Sequence, residues 1–245
     1  MKGLILAAGF GKRLQPITNK IPKCLVEVKG KPLLVSSLNN MKKVGIDEVI
    51  IVTGHKNDIV ISTIGFEFNG MKIIYVHNKN YESTNNIYSL WLARDYIDDD
   101  IILAECDLYY NVKLLEDLLT SDADCTILTS DFNENTMDGT IIEIDSNYRA
   151  KALVTKKAQG KGYNYSNSKK TINIYKFRKD FIIKKFIPSI DNYIKTQNAN
   201  SYYELVLGSL IYYNNDNIKV INEPENLWYE IDNIEDLDRA NQSFF

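Results

Sequence analysis

The sequence predicts an α/β fold built on a doubly wound, mostly parallel sheet, with an inserted subregion in its second half. Three observations carry that expectation. Short continuous apolar runs alternate with longer amphipathic stretches through the first hundred residues, the pattern of strands covered on both faces by crossover helices. The early apolar runs stop at polar or glycine-rich ends: Gly9-Phe10-Gly11-Lys12-Arg13, Gly54-His55-Lys56 and Glu105-Cys106-Asp107. The chain has 245 residues, 44% of them apolar, enough for one Rossmann-like domain with a full core.

The elements follow in order. Residues 3–8 are a buried strand that breaks abruptly at Gly9. Residues 24–28 are a short strand, and Gly30-Lys31-Pro32 is a turn with Pro32 opening a helix that Gly45 stops. Residues 47–53, 71–76 and 101–104 are further buried strands, with a helix over residues 85–96 that Thr84 is placed to cap. In parallel sheets ligands sit outside the carboxyl ends of the strands, which gathers the loop after residue 8, Gly54, residues 84–86 and Asp107 around one crevice. The second half reads as strands over 124–129, 139–144, 150–155 and 170–177, a polar loop over 160–168, helices over 180–195 and 201–213, strands over 218–222 and 227–231, and a closing helix over 234–241. No internal repeat or linker interrupts the chain. A single domain over 1–245 is expected, with two halves that meet near residue 125.

Composition excludes several function classes. A net charge of −3 gives no general attraction to nucleic acid or to an anionic membrane. Cys24, Cys106 and Cys125 are odd in number, far apart and set in apolar runs, which suits reduced core residues and no metal cluster. No apolar run is long enough to span a bilayer, and the N-terminus already reads as a strand, so a cytoplasmic protein without membrane or nucleic-acid partners is expected.

The first strand end carries the chemistry. Glycines at 9 and 11 let backbone N–H groups approach a ligand, and Lys12 and Arg13 add charge, a combination that suits a polyphosphate. A Walker loop needs a glycine where Leu6 stands and a Ser or Thr where Arg13 stands. The dinucleotide fingerprint needs a third glycine where Leu14 stands. Both are excluded, leaving either a different phosphate loop or an ordinary turn with two solvated cations.

The run Leu6-Ala7-Ala8-Gly9-x-Gly11-x-Arg13-Leu14-x-Pro16-x-Thr18, ending in Pro22-Lys23, resembles the signature of the nucleotidyltransferases that activate phosphorylated small molecules. Thr84-Asn85-Asn86-Ile87-Tyr88-Ser89-Leu90 is similar to the corresponding helix start of bacterial phosphocholine cytidylyltransferases, and Glu230-Ile231-Asp232 with the following Asn233 to Leu237 resembles the family's late metal-binding aspartate and closing helix. The resemblance implies transfer of a nucleoside monophosphate from a triphosphate to a phosphate or phosphonate, with release of pyrophosphate. It implies a nucleotide-binding half over residues 1–125 and an acceptor-binding half over residues 126–245. The nucleotide site would be made by Leu6, Ala7, Ala8, Gly9, Gly11, Lys12, Gly54, Asn85, Asn86 and Ser89, with the base read by the main chain near Ala8, the Gly54 turn and the amide of Asn85 or Asn86. Arg13 would hold the β- and γ-phosphates and Lys23 the α-phosphate, both as catalytic residues. Asp107 and Asp232 would hold Mg2+, a hard ion that takes oxygen ligands. The amides of Asn85 and Asn86 suit a pyrimidine edge and a helix cap equally.

For the acceptor, the resemblance places Lys156 against its phosphate. Aromatic and acidic side chains in the later segments suit a cationic group, with Tyr88, Tyr175, Trp228 and Glu204 expected there. CTP and phosphocholine, giving CDP-choline, are the first expectation. An aminoethylphosphonate is a close alternative and a sugar 1-phosphate a further one. A metal-dependent glycosyltransferase of similar fold and an inactive nucleotide sensor belong to other classes. The first usually carries Asp-x-Asp where this chain has Glu105-Cys106-Asp107, and intact Arg13, Lys23, Asp107 and Asp232 argue against the second.

Overall fold

In a computed structural model that describes residues 1–134, 137–214, 217–243 and 245, strand β1 (Lys2–Ala7) lies in the middle of the main sheet. A 3₁₀ turn over Lys23–Leu25 takes the first two residues of the expected second strand, and only its end forms β2 (Glu27–Val28), in a short hairpin with β3 (Lys31–Pro32). Helix α1 (Leu33–Lys43) starts after Pro32, which caps it rather than opening it, and Gly45 follows with φ +82°. Next come β4 (Glu48–Thr53), α2 (Asn57–Ile64), β5 (Glu67–Phe68) and β6 (Met71–His77). The α2 segment is rich in β-branched residues. It is helical nonetheless, because Val60 and Ile64, one turn apart, bury against the sheet.

Helix α3 (Asn86–Leu92) continues as a 3₁₀ turn to Tyr96 and is capped by Asn85, whose Oδ1 accepts from the Asn86 N–H at 2.8 Å. Thr84 instead donates to the Asn80 carbonyl. The chain goes on through β7 (Ile101–Glu105), β8 (Leu108–Tyr110), α4 (Lys113–Leu119), β9 (Cys125–Asp131), β10 (Ile141–Ile144), β11 (Ala150–Val154) and β12 (Ser168–Phe177). Helix α5 (Lys179–Phe181) runs through a π turn into α6 (Ile187–Thr196), followed by α7 (Tyr203–Asn214), β13 (Ile218–Asn222), β14 (Trp228–Glu230) and α8 (Ile234–Asn241).

Strands β7, β1, β4 and β6 pair in parallel in that order, and β12 adds to β7 antiparallel. Beyond β12 lie β9 and then β13, while β10 and β11 branch from the first half of β12. Side chains alternate across the sheet, so Leu4 and Leu6 face α3 and α6–α7 while Ile5 and Ala7 face α1 and α4. A third cluster joins the two ends of the chain: Leu14, Val26, Val28 and Leu33 pack on Ile231, Leu237 and Ala240. That cluster sets the register between the first loop and the residues before α8. Among the described residues, no helix is long and apolar enough to cross a membrane.

Candidate active site

The loop after β1 forms one wall of a cleft of about 1770 Å³ along the carboxyl ends of the parallel strands. Gly11 stands at φ +70°, and a Cβ there would meet the Lys23 Cβ at 2.9 Å, so the loop lies directly against Lys23. The Thr18 hydroxyl donates to the Gly11 carbonyl at 2.8 Å and holds the turn. Leu6, Ala8, Gly9, Gly11, Lys12 and Arg13 line the cleft; Ala7 does not, because it points into the opposite core.

Gly54 also lies off the cleft, which corrects its expected contact with the base. It supports the loop from behind: a Cβ there would sit 2.5 Å from the Ala8 carbonyl oxygen and 2.7 Å from the Tyr81 Cβ, and the neighbouring His55 N–H donates to that same carbonyl at 3.3 Å. Gly54→Ala is therefore expected to push Ala8 out of place, destabilising the fold by about 1–3 kcal/mol and weakening triphosphate binding. Thermal melting and nucleotide titration check this, and unchanged values in both would remove the support role.

Lys23, Asp107, Asp232 and Arg13 converge although 209 residues separate Lys23 from Asp232. Antiparallel pairing of β14 with β8 opposes Glu230 to Leu108, and the Ile231 N–H donates to the Asp107 carbonyl at 2.9 Å. The two aspartates thus leave adjacent strand ends side by side. Asn233 and Asp236 form a reciprocal cap on α8, and Asp236 also accepts from the Asp232 N–H at 3.0 Å. The Lys23 ammonium lies 2.7 Å from Asp107 Oδ2 and 2.9 Å from Asp232 Oδ1, and Arg13 reaches the same Asp232 oxygen at 2.8 Å. Burial lowers the Lys23 pKa, but the two carboxylates outweigh it and hold the ammonium above its ordinary value. Burial raises Asp232, and Lys23 with Arg13 more than offsets it, so its carboxyl is held below the usual range.

The other Asp107 oxygen, Oδ1, is buried without a hydrogen-bond partner. An acceptor-only oxygen in that state suits a cation. No group of three or more His, Cys, Asp or Glu among the described residues could cage a metal. Two carboxylates beside a phosphate loop fit an ion such as Mg2+, which completes its shell with phosphate oxygens and water.

The start of α3 is already engaged by the protein. The Asn85 and Ile87 N–H groups donate to the Ala199 and Ser201 carbonyls. The Asn86 Nδ2 donates to Glu105 Oε1 at 3.2 Å and Glu204 Oε2 at 3.3 Å, and its Oδ1 accepts from the Tyr203 N–H at 3.1 Å. Asn86 lines the cleft, and its amide organises the two carboxylates. Asn85 caps α3 through Oδ1, and both Asn85 and Ser89 line the cleft. Ser89 accepts from the buried Asn78 at 3.1 Å.

Of the expected acceptor residues, Lys156, Glu204 and Trp228 line the cleft. Tyr175 and Tyr88 do not. Tyr175 is 0% exposed and packs against Phe177 and Tyr203, because its position in β12 points into the core. Tyr88 stacks on Trp91 at 5.5 Å on another face of α3. Further polar side chains outside the expected set line the cleft, among them Glu105, Lys170 and Asn173. Glu105 is raised well above an ordinary glutamate by burial, then by the charges of Asp107 and Glu204. Burial likewise raises Glu204, to about 7. The signal for Asn173 was its place between Ile172 and Ile174, where strand propensity disfavours asparagine, whereas Lys170 stands between Lys169 and Thr171 in the polar start of β12 and carried none.

A family model described as nucleotidyl transferase matches residues 2–242. The chain belongs to that family. Among nucleotidyl transferase relatives, it is 29% identical over its whole length to a CMP-5'-(3-aminopropyl)phosphonate synthase of Streptomyces rubellomurinus, spanning only 39% of that relative. It is 26% identical to a CTP:phosphoglutamine cytidylyltransferase of Campylobacter jejuni, with 97% of this chain and 98% of the relative covered. Its fold superposes on the structure of CTP:phosphocholine cytidylyltransferase from Streptococcus pneumoniae with a TM-score of 0.78 at 22% identity, covering 98% of this chain and 97% of that one.

Proposed function

We propose that this chain is a CTP-dependent cytidylyltransferase for a small phosphonate or phosphate that carries a primary ammonium. The observation that carries the transferase reading is the clasp of Lys23 between Asp107 and Asp232 beside the Gly9–Gly11 loop. An anionic acceptor oxygen attacks the α-phosphorus of CTP in line. The bond from that phosphorus to the bridging oxygen breaks, and pyrophosphate leaves with the electron pair. Backbone N–H groups of the loop and the Arg13 guanidinium hold the β- and γ-phosphates, while Lys23 neutralises the α-phosphate as charge shifts across it. Mg2+, held by Asp107 and Asp232, supplies charge neutralisation and phosphate orientation when bound. CTP as donor rests on the names of the relatives and on the polar cleft wall at Asn85 and Ser89.

Two features favour an aminoalkylphosphonate over phosphocholine. Tyr88 and Tyr175, two of the aromatics expected around a quaternary ammonium, stand off the cleft. Glu105 and Glu204 share one amide donor and, among the described residues, lie within ion-pair distance of no lysine or arginine. A primary ammonium can donate to both carboxylates, whereas a trimethylammonium has no N–H to give. The substrate named for the Streptomyces relative has this chemistry.

Pyrophosphate release from each of the four common triphosphates, with 2-aminoethylphosphonate, phosphocholine and glucose 1-phosphate as acceptors, tests the proposal. Turnover is expected with CTP and to be fastest with the aminophosphonate. Faster turnover of glucose 1-phosphate would overturn the acceptor class, and no pyrophosphate with any pair would favour a sensor or a glycosyltransferase. Glu204→Gln is expected to raise the KM of the aminated acceptor about 10- to 100-fold, the loss of one charged hydrogen bond, while the KM for CTP stays within about twofold. Initial rates at varied acceptor and varied CTP separate the two.

A further inference from the structure

Lys170 is a lysine on a central strand, 3% exposed, whose side chain lines the cleft. Its ammonium donates to the Thr171 carbonyl at 2.9 Å and pairs with Glu230 Oε2 at 3.3 Å, and it lies 5.8 Å from the centre of the Trp228 ring. An ammonium has three N–H donors. The Thr171 carbonyl takes one and Glu230 is an ion-pair partner, so among the described residues at least one N–H has no acceptor.

The surroundings are arranged around this pair. β12 shifts its register against β9 between Thr171 and Tyr175, and within that shift Asn173 holds φ +61°. A left-handed residue inside a strand is strained even for asparagine. The strained position lets the Asn173 Nδ2 donate to Glu230 Oε1 at 3.3 Å, while its Oδ1 accepts from the Thr171 hydroxyl at 3.2 Å. Glu230 is therefore shared between an amide and an ammonium, and only half of it answers Lys170. Gly139, at φ +102°, lies beside the ammonium: a Cβ there would stand in ordinary contact, 3.4 Å from the Lys170 nitrogen.

Lys156 differs in each respect. Its side chain is 62% exposed and pairs with Asp138 at 2.8 Å, a surface contact that solvent screens. A buried lysine with one donor open and a half-shared counter-ion is the better preorganised anion partner, since little side-chain freedom remains to be lost on binding.

We infer that Lys170 is the buried clamp for the phosphonate or phosphate group of the acceptor, with Glu230 and Asn173 as its positioning residues, so that the acceptor lies with its anionic end on Lys170 and its ammonium towards Glu204. The inference rests on the transferase reading for what the clamp holds.

Two probes separate the clamp from the ammonium site and from catalysis: methylphosphonate, which has no amine, and 2-aminoethylphosphonate. Their binding is measured by calorimetry on the full chain saturated with a non-transferable CTP analogue bridged by an α,β-methylene group. Lys170→Met is expected to weaken both probes at least 10-fold, Lys156→Met to weaken each less than 3-fold, and Glu204→Gln to weaken only the aminated one. Because Lys170→Met leaves Glu230 buried without its cation, the double variant Lys170→Met/Glu230→Gln is measured beside it, with thermal melting as the check on folding. A folded double variant that still binds methylphosphonate at least 10-fold more weakly supports the clamp. Wild-type affinity in that variant would reduce Lys170 to a counter-ion for Glu230 and overturn it, as would a wild-type chain that binds neither probe. Pyrophosphate release on the acceptor panel reports on the transferase reading separately, so either can fail alone.

Discussion

Asp107→Asn is expected to lower kcat with CTP and Mg2+ by about a thousandfold, on the order of 4 kcal/mol of transition-state stabilisation, with little change in melting temperature. The amide keeps the shape of the carboxylate and can still accept from Lys23 Nζ, which lies 2.7 Å from Oδ2, and Lys23 retains Asp232. What it loses is the negative charge around the orphaned Oδ1, the atom best placed to hold a metal ion. Pyrophosphate release across a Mg2+ titration, beside a thermal melt, makes the measurement. Activity within about threefold of wild type would place the metal elsewhere, and a collapsed melting temperature would make Asp107 a structural residue.

Lys23→Met is expected to reduce kcat by about a hundred- to a thousandfold, roughly what removal of one preorganised donor costs, while the KM for CTP moves less than about fivefold. Methionine keeps the apolar stem against the Gly11 turn and removes only the ammonium. Lys23 is the group that both aspartates share, so its loss also leaves two carboxylates facing each other. The variant should accordingly melt at a lower temperature in chelator and recover part of the difference in Mg2+. Steady-state kinetics separates the outcomes. An effect on KM alone would make Lys23 a ground-state binding residue.

The strands of the parallel half could be read from the sequence because each is a short apolar run closed by glycine or a polar residue, and β4 and β6 follow that rule almost residue for residue. Helix α2 could not be read in this way. Its β-branched residues favour a strand, and only burial of Val60 and Ile64 against the sheet makes it helical. The same distinction applies to the site. Gly9, Gly11, Arg13 and Lys23 lie within one short stretch whose spacing carries the chemistry. Asp107 and Asp232 were accessible through resemblance, because each ends an apolar segment. Side-chain direction was not accessible. Tyr175 sits in a segment that reaches the cleft, yet the pleat turns it into the core, while Lys170 of the same strand reaches the cleft.

The sequence by itself determined the α/β class, the phosphate-loop signature of a nucleotidyl transferase and the residue types of the proposed triphosphate site, because these are written in local periodicity and contiguous spacing. Tertiary structure alone decided what each polar group is free to do. Pairing of β14 with β8 brings the aspartates onto Lys23, and hydrogen bonds to Glu105 and Glu204 take up the amide of Asn86. The bulge in β12 turns Asn173 towards Glu230 and leaves Lys170 half-answered in the cleft. These are long-range contacts, and a one-dimensional pattern does not record which donor has already met its acceptor.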